Sequence, residues 1–268
     1  MKVVSTRKAA AALSRSWRGR SIGFVPTMGA LHPGHASLIS RARKENDRVV
    51  VSVFVNPTQF GPNEDFDRYP RAFAADKKLC AAAGADAVYH PSVEEVYPDG
   101  FGTFVEPPAS LASVLEGEFR PGHFRGVATV VLKLLETVRP TRAYFGEKDW
   151  QQLTIVRRMA ADLDLETKIV GCPTVREKDG LALSSRNAYL TPEQRALAPR
   201  IREALSLGDA KKAADRIWAT LAGAKIDYVR LVDADTLAEP GPKTRAKRLL
   251  AAVRVGRTRL IDNIAVSL

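Results

Sequence analysis

The chain has 268 residues, 45% hydrophobic and 26% charged, which excludes a disordered or fibrous protein and allows one large core or two modest ones. Its 41 basic and 30 acidic residues give a net charge of +11: 23 against 19 up to Val175, and 18 against 11 beyond it. Such a field attracts nucleotide triphosphates as well as nucleic acids, so charge alone does not choose between them.

Two distant cysteines, Cys80 and Cys172, indicate neither a disulfide framework nor a zinc site. The amino-terminus lacks the continuous apolar stretch of a signal peptide, and no apolar run nears the roughly 20 residues that a membrane span needs. The expectation is a cytoplasmic protein with no membrane partner.

Along the chain, SIGFV (21–25) and RVVVSVFV (48–55) are β-branched runs that end in turn residues, with a helix predicted over 35–46 between them. A helix is expected to start at Pro70 and run to 83, followed by a short strand AVYH. Over 123–138, Phe124, Val127, Val131, Leu134 and Val138 share one helical face. A strand at 142–146, an amphipathic helix over 148–163 and a strand at 167–175 complete the alternation. Strands spaced by helices imply right-handed crossovers and a Rossmann-like, doubly wound, mostly parallel sheet, with ligands at the carboxyl ends of its strands. After 176 the pattern becomes α+β, with helices over 192–207 and 210–221, then strands at 226–232, 248–255 and 259–266. A turn is expected at Gly256. The predicted division is a first domain over 1–175 and a smaller one over 176–268.

The chemistry concentrates in loops that follow strands. FVPTMGALHPGHASLI (24–39) leads from the first strand into the first helix. Gly29 and Gly34 let backbone approach a ligand closely, and His32 and His35 lie three apart across the loop–helix junction. Free N–H groups at that helix start, with its dipole, favour phosphate. It is neither a Walker A loop nor a GxGxxG fingerprint, but the HxGH signature of adenylyl- and cytidylyl-transferring enzymes. In LALSSRNAYLTPEQR (181–195), Ser184, Ser185 and Arg186 offer two hydroxyls and a guanidinium suited to phosphate. Thr191, Pro192 and Gln194 then read as N-cap, first turn and capping box. GEKDWQQL (146–153) places Lys148 to neutralise a triphosphate, Asp149 to accept from a ribose hydroxyl, and Gln152 at a helix start. In VFVNPTQFGPNEDFDRYPR (53–71), Asn56 and Gln59 are neutral hydrogen-bonding groups suited to a small polar substrate.

Together PTMGALHPGH, NPTQF, RPGHFRGVATVVLKLL, GEKDWQQL, VREKDGLALSSRN and TRLIDNIAV resemble the pantothenate synthetase (pantoate–β-alanine ligase) family over most of the chain. The resemblance implies ATP-dependent condensation of (R)-pantoate with β-alanine, through a pantoyl adenylate, to pantothenate, AMP and pyrophosphate. It implies an ATP site of Met28, Gly29, Ala30, Leu31, His32, Pro33, Gly34 and His35, with Gly146, Glu147, Lys148, Asp149, Val175, Leu183, Ser184, Ser185 and Arg186. His35 is the implied proton donor, assisted by His32, Lys148 and the Ser184–Ser185–Arg186 loop. Gln59 and Gln152 hold pantoate, with Gln59 bordering β-alanine. Mg²⁺ accompanies the triphosphate, its protein ligands left open, and the resemblance implies a homodimer with a carboxyl-terminal lid and no nucleic-acid partner. Two departures are visible: Leu183 stands where methionine is usual, and Ala75 where relatives often carry an acid, which raises Asp76 and Glu116 as alternatives for metal or water contacts.

Two rivals are a nucleotidylyltransferase of the same superfamily, which needs neither NPTQF nor GEKDxQQ, and an RNA-binding protein suggested by the charge. Trp17, Trp150 and Trp218 each stand alone, with no basic run interleaved with aromatics.

Overall fold

The computed structural model describes every residue except Asn63, Ala222 and Leu268. In chain order it forms β1 (Lys2–Val4), α1 (Arg7–Ser16), β2 (Ile22–Thr27), α2 (Pro33–Glu45), β3 (Arg48–Val53), α3 (Phe73–Ala82), β4 (Ala87–Tyr89) and α4 (Val93–Val96). Next come α5 (Ala109–Ala112), α6 (Glu116–Phe119), α7 (His123–Val138), β5 (Arg142–Gly146), α8 (Trp150–Asp162) and β6 (Lys168–Cys172). The chain ends with α9 (Pro192–Leu197), α10 (Arg200–Leu205), α11 (Ala210–Thr220), β7 (Lys225–Asp233), β8 (Lys247–Val255) and β9 (Thr258–Val266). Short 3-10 turns occupy Pro57–Gln59, Glu147–Asp149 and Ser185–Tyr189.

These elements divide into two compact units. One comprises Met1–Pro107, Arg120–Gly146 and Ile155–Cys172; the other comprises Pro108–Phe119, Glu147–Thr154 and Pro173–Leu268. The division follows contacts rather than chain order, because two short internal segments pack with the residues from Pro173 onward.

The first unit is built on a six-stranded sheet in the order β1-β4-β3-β2-β5-β6, every pairing parallel. From central β2 the chain winds outward through β3 and β4, then returns to the other side through β5 and β6, so the strand order reverses at β2 and β5. Such a reversal is where open α/β sheets take ligands. Pairing there is short: β2 matches β3 over six residues, from Ile22–Arg48 to Thr27–Val53, but meets β5 only at Gly23–Arg142 and Phe24–Ala143. Beyond Phe24 the two strands are no longer paired. Burial on both faces explains the β-branched runs. Val25, Val49, Val51 and Tyr144 pack with Leu38, Ile39 and Ala42 of α2 and Cys80 of α3. The pleat sends their neighbours Phe24, Val50 and Ala143, also fully or almost fully buried, to the opposite face.

The second unit carries an antiparallel sheet, β7-β8-β9, with its hairpin turn at Gly256 (φ +60°) as expected. Ile201, Leu205, Ile217 and Leu221 from α10 and α11 pack on Leu249, Ala251 and Val253.

Boundaries differ from the sequence expectation at several elements, three of them in this way. The helix expected from Pro70 begins at Phe73, without a side-chain cap. The one expected over 192–207 is broken into α9 and α10 around Ala198 and Pro199, since proline cannot donate the bond that would continue it. The third is at the amino-terminus, where β1 and α1 were not expected. The capping box of Thr191 and Gln194 is present.

Candidate active site

The loop after β2 is shaped by a carboxylate. Gly29 (φ +83°) and Ala30 (φ +51°) are consecutive left-handed residues, a strained run that needs external support. Asp76, 3% exposed on α3, supplies it: the Ala30 N–H donates to one carboxylate oxygen at 3.1 Å and the Leu31 N–H to the other at 2.8 Å. A Cβ on Gly29 would sit 2.9 Å from that carboxylate, so glycine is required by space as well as by φ.

The helix start differs from expectation. α2 begins at Pro33, and the two imidazoles form its capping box: His32 Nδ1 accepts from the Gly34 N–H at 3.1 Å, and His35 Nδ1 accepts from the His32 N–H at 3.3 Å. The His35 N–H is taken by the His32 carbonyl at 2.8 Å. The first donors of the helix are therefore used internally and are not free for phosphate. The same bonds set the tautomers, because an Nδ1 that accepts leaves the ring hydrogen on Nε2. The rings lie 4.1 Å apart at the start of α2, each with its hydrogen on Nε2.

Beside this loop, Asn56 and Gln59 are 1% and 8% exposed and brace each other, the Asn56 amide donating to Gln59 Oε1 at 3.1 Å. Gln59 Nε2 donates to Met28 Sδ at 2.9 Å, joining the two candidate loops within one unit. The Pro57–Gln59 turn rests on the start of α7. Asn56 Nδ2 donates to the Gly126 carbonyl at 3.2 Å, and a Cβ on Gly126 would fall 2.2 Å from the Thr58 carbonyl oxygen. His123 bridges Arg120 and the Gln59 carbonyl, its Nδ1 2.8 Å from the carbonyl and its Nε2 2.9 Å from the guanidinium. Since arginine only donates, the bonding fixes Nε2 as acceptor and Nδ1–H as donor. Arg120 in turn forks onto both oxygens of Glu64 at 2.6 Å. Tyr97 donates to Asn56 Oδ1 at 2.8 Å; its burial pushes the phenol above the ordinary tyrosine value, against the effect of its hydrogen bonds to Thr58 and Asn56.

In the second unit, Lys148 lies in the Glu147–Asp149 turn with its ammonium 3.8 Å from the Asp149 carboxylate. The neighbouring glutamines separate in role. Gln151, 2% exposed, donates to the Leu111 and Val114 carbonyls and accepts from the Glu116 N–H, whereas Gln152 is half-buried. Val175 accepts from the Leu183 N–H, and Ser184 caps the Ser185–Tyr189 turn by accepting from Arg186 N.

Both acidic alternatives carry structural hydrogen bonds. Asp76 is occupied by two backbone amides. Glu116 is held by both outer nitrogens of Arg259 and by the Tyr228 hydroxyl at 2.7 Å. Burial, with Glu116 adding to it, pushes the Tyr228 phenol well above its ordinary range. Among the described residues no group of three or more His, Cys, Asp or Glu is placed to hold a metal ion, and no helix is long and apolar enough to cross a membrane.

A family model described as pantoate-beta-alanine ligase matches residues 2–265. The chain belongs to the pantoate–β-alanine ligase family. It is similar to the pantothenate synthetase of Moorella thermoacetica, 55% identical over 93% of this chain and 92% of that protein. Among solved structures it resembles the pantothenate synthetase of Thermus thermophilus, with a TM-score of 0.94, 46% identity and full coverage of both chains. It also resembles the pantoate–β-alanine ligase of Francisella tularensis, solved with β-γ ATP and β-alanine, with a TM-score of 0.87, 40% identity and coverage of 99% and 97%.

Within this ligase family fold, the residues that sequence reading left without a role are the supports Arg120, His123, Gln151 and Asn263, and Asp76, raised there for metal or water contacts, supports backbone instead. Several sit inside motifs that carried the resemblance, but nothing in a linear sequence says which backbone group such a side chain will meet.

Proposed function

We propose that the chain is a pantoate–β-alanine ligase that joins (R)-pantoate to β-alanine at the expense of ATP, giving pantothenate, AMP and pyrophosphate. The observation that carries the reading is the pair of Nε2–H imidazoles at the switch point of the sheet, in a loop hydrogen-bonded through Met28 to buried neutral amides. The Francisella relative, solved with β-γ ATP and β-alanine, supports both as substrates.

In the first step a pantoate carboxylate oxygen attacks the α-phosphate and pyrophosphate leaves. Negative charge grows on the phosphoryl oxygens, and preorganised donors aimed at it lower the barrier without reorganising. His35 and His32 supply Nε2–H donors, with His35 as the proton donor; Lys148 neutralises phosphate charge, and Ser184, Ser185 and Arg186 bind further phosphate oxygens. The remainder of 28–35, with Gly146, Glu147, Asp149, Val175 and Leu183, binds the nucleotide. Gln59, Gln152 and Asn56 orient pantoate, their neutral amides satisfying hydroxyl and carboxylate without lowering the nucleophile's charge. In the second step the β-alanine amine attacks the acyl carbon, AMP departs with the bonding electrons, and the amine releases a proton. Mg²⁺ would accompany the triphosphate and supply charge neutralisation when bound, beside Lys148, Ser184, Ser185 and Arg186 as the residues that would bind the phosphates. The lid role of 176–268, a homodimeric state and a cytoplasmic location belong to the same proposal.

The test is pyrophosphate release from ATP with and without pantoate and β-alanine. Release that requires pantoate, with AMP and pantothenate formed on adding β-alanine, is expected. Release indifferent to pantoate would leave a nucleotidyltransferase with another acceptor.

A further inference from the structure

The two loops of the second unit assigned to ATP's phosphates have little regular structure of their own. Glu147 and Lys148 lie in a single 3-10 turn; Ser184, Ser185 and Arg186 follow an isolated bridge between Arg176 and Ala182. Both are fastened to two consecutive buried residues of β9, Asp262 (6% exposed) and Asn263 (3% exposed). Asn263 Nδ2 spends its two hydrogens on the carbonyls of Glu147 and Lys148, each at 2.9 Å. Its Oδ1 accepts from Arg248, which also donates to the Glu147 carboxylate at 2.8 Å and lies over the Trp150 ring at 3.4 Å. Trp150 is itself anchored through its indole N–H to the Ala234 carbonyl at 2.9 Å. One residue earlier, the Asp262 carboxylate takes both outer nitrogens of Arg176, at 2.7 and 2.8 Å. Arg176 also donates to the Gly180 carbonyl at 3.0 Å and so holds the hairpin that delivers Ser184. Because successive side chains of a strand leave on opposite faces, one dipeptide can serve two loops.

We propose that Asp262 and Asn263 are positioning residues for adenylation: the terminal strand sets the Lys148 turn and the Ser184–Arg186 loop in one fixed register. The inference rests on the assignment of those loops to ATP. The amide is chemically specified, for two adjacent carbonyls need two donors on one atom while Arg248 needs an acceptor on the other. A carboxylate of the same shape would aim an oxygen at both carbonyls.

The experiment is a double-mutant cycle between Asn263→Asp and Lys148→Ala in the full-length chain, read by single-turnover pyrophosphate release. Asn263→Asp alone is expected to slow release about 10- to 100-fold, the scale for displacing a catalytic group by about 1 Å, and to leave the pantoate KM within about twofold. Added to Lys148→Ala it is expected to cost less than about threefold more, because the lysine through which it acts has gone. Losses that multiply, or an Asn263→Asp enzyme with full activity, overturn the inference. Full activity in Lys148→Ala alone instead overturns the ATP assignment. Should Asn263→Asp fail to fold, Asn263→Ala removes the donors without an opposing oxygen and carries the same cycle. Pairing Asp262→Asn with Arg186→Ala tests the other loop by the same criterion.

Discussion

Gly126 offers the most demanding test of how the Gln59 turn is held. In Gly126→Ala the new Cβ falls 2.2 Å from the Thr58 carbonyl oxygen, 2.5 Å from its carbon and 2.8 Å from the Gln59 nitrogen, where ordinary contact starts at 3.4 Å. All three are backbone atoms, so no rotamer change relieves the clash, and α7 and the Pro57–Gln59 turn must separate by about 1 Å. Overpacking of this kind costs about 1–3 kcal/mol. Alanine returns up to about 1 kcal/mol of helix propensity, but rigid backbone on both sides puts the strain at the upper end. A net loss of about 2 kcal/mol corresponds to a melting temperature roughly 4–8 °C lower for a chain of this size. The separation also pulls on the bonds from Asn56 to the Gly126 carbonyl and from His123 to the Gln59 carbonyl. A shift of about 1 Å in a substrate-orienting group lowers kcat/KM for pantoate by on the order of a hundredfold, while ATP binding is largely retained. Calorimetry and a pantoate titration at saturating ATP measure both effects. An unchanged melting temperature and an unchanged kcat/KM for pantoate would refute the packing argument. A lower melting temperature with normal pantoate kinetics would remove the turn from the substrate site.

Asp76→Asn withdraws charge from the Ala30 and Leu31 amides and turns a donor toward one of them, so the KM for ATP is expected to rise about tenfold, equivalent to about 1.4 kcal/mol. An unchanged ATP titration would show that the loop holds its shape without the carboxylate. His35→Ala and Lys148→Ala are each expected to slow pantoate-dependent pyrophosphate release roughly a hundredfold with the fold kept; full rates in both would reject the site. Burial pushes the Cys80 thiol up to about 12, so native protein at pH 8 is expected to resist alkylation at Cys80 until unfolded; prompt labelling in the native state would contradict its burial. The sign for stability follows. The unfolded thiol ionises from about pH 8.5 while the folded one keeps its proton, so this residue increasingly disfavours the folded state as pH climbs from about 9 toward 12.

The parallel sheet and the chemical character of its loops were legible because both rest on short-range signals. β-branched runs such as RVVVSV mark strands buried on both faces, and the loops that follow β2, β3 and β5 carry the polar residues. What escaped depends on partners far along the chain. β1 has three residues, and its register, Lys2 against Ala87, is set by a strand some eighty positions away. α1 buries only Ala10 and Leu13, too little to mark a helical face. The HxGH loop lies between a strand and a helix as expected, but the amides beneath its imidazoles were read as free, whereas the imidazoles bond to backbone there. That they cap their own helix is a matter of rotamer, which spacing does not determine. Likewise nothing near Gln151 in sequence reveals that it pairs with the Leu111 and Val114 carbonyls.

The discontinuity of the second unit bears on how the chain is made. Its segments Pro108–Phe119 and Glu147–Thr154 leave the ribosome well before the strands they pack with, β7 to β9. Until β9 emerges, Glu116 has no Arg259, and the carbonyls of Glu147 and Lys148 have no Asn263. Synthesis proceeds at roughly 5–20 residues per second, so these segments wait about 5–30 seconds for their partners. The nascent chain can pair all six strands of its parallel sheet by Cys172 and still lack a formed Lys148 turn. The bonds that fasten the Lys148 turn form only once β9 is present.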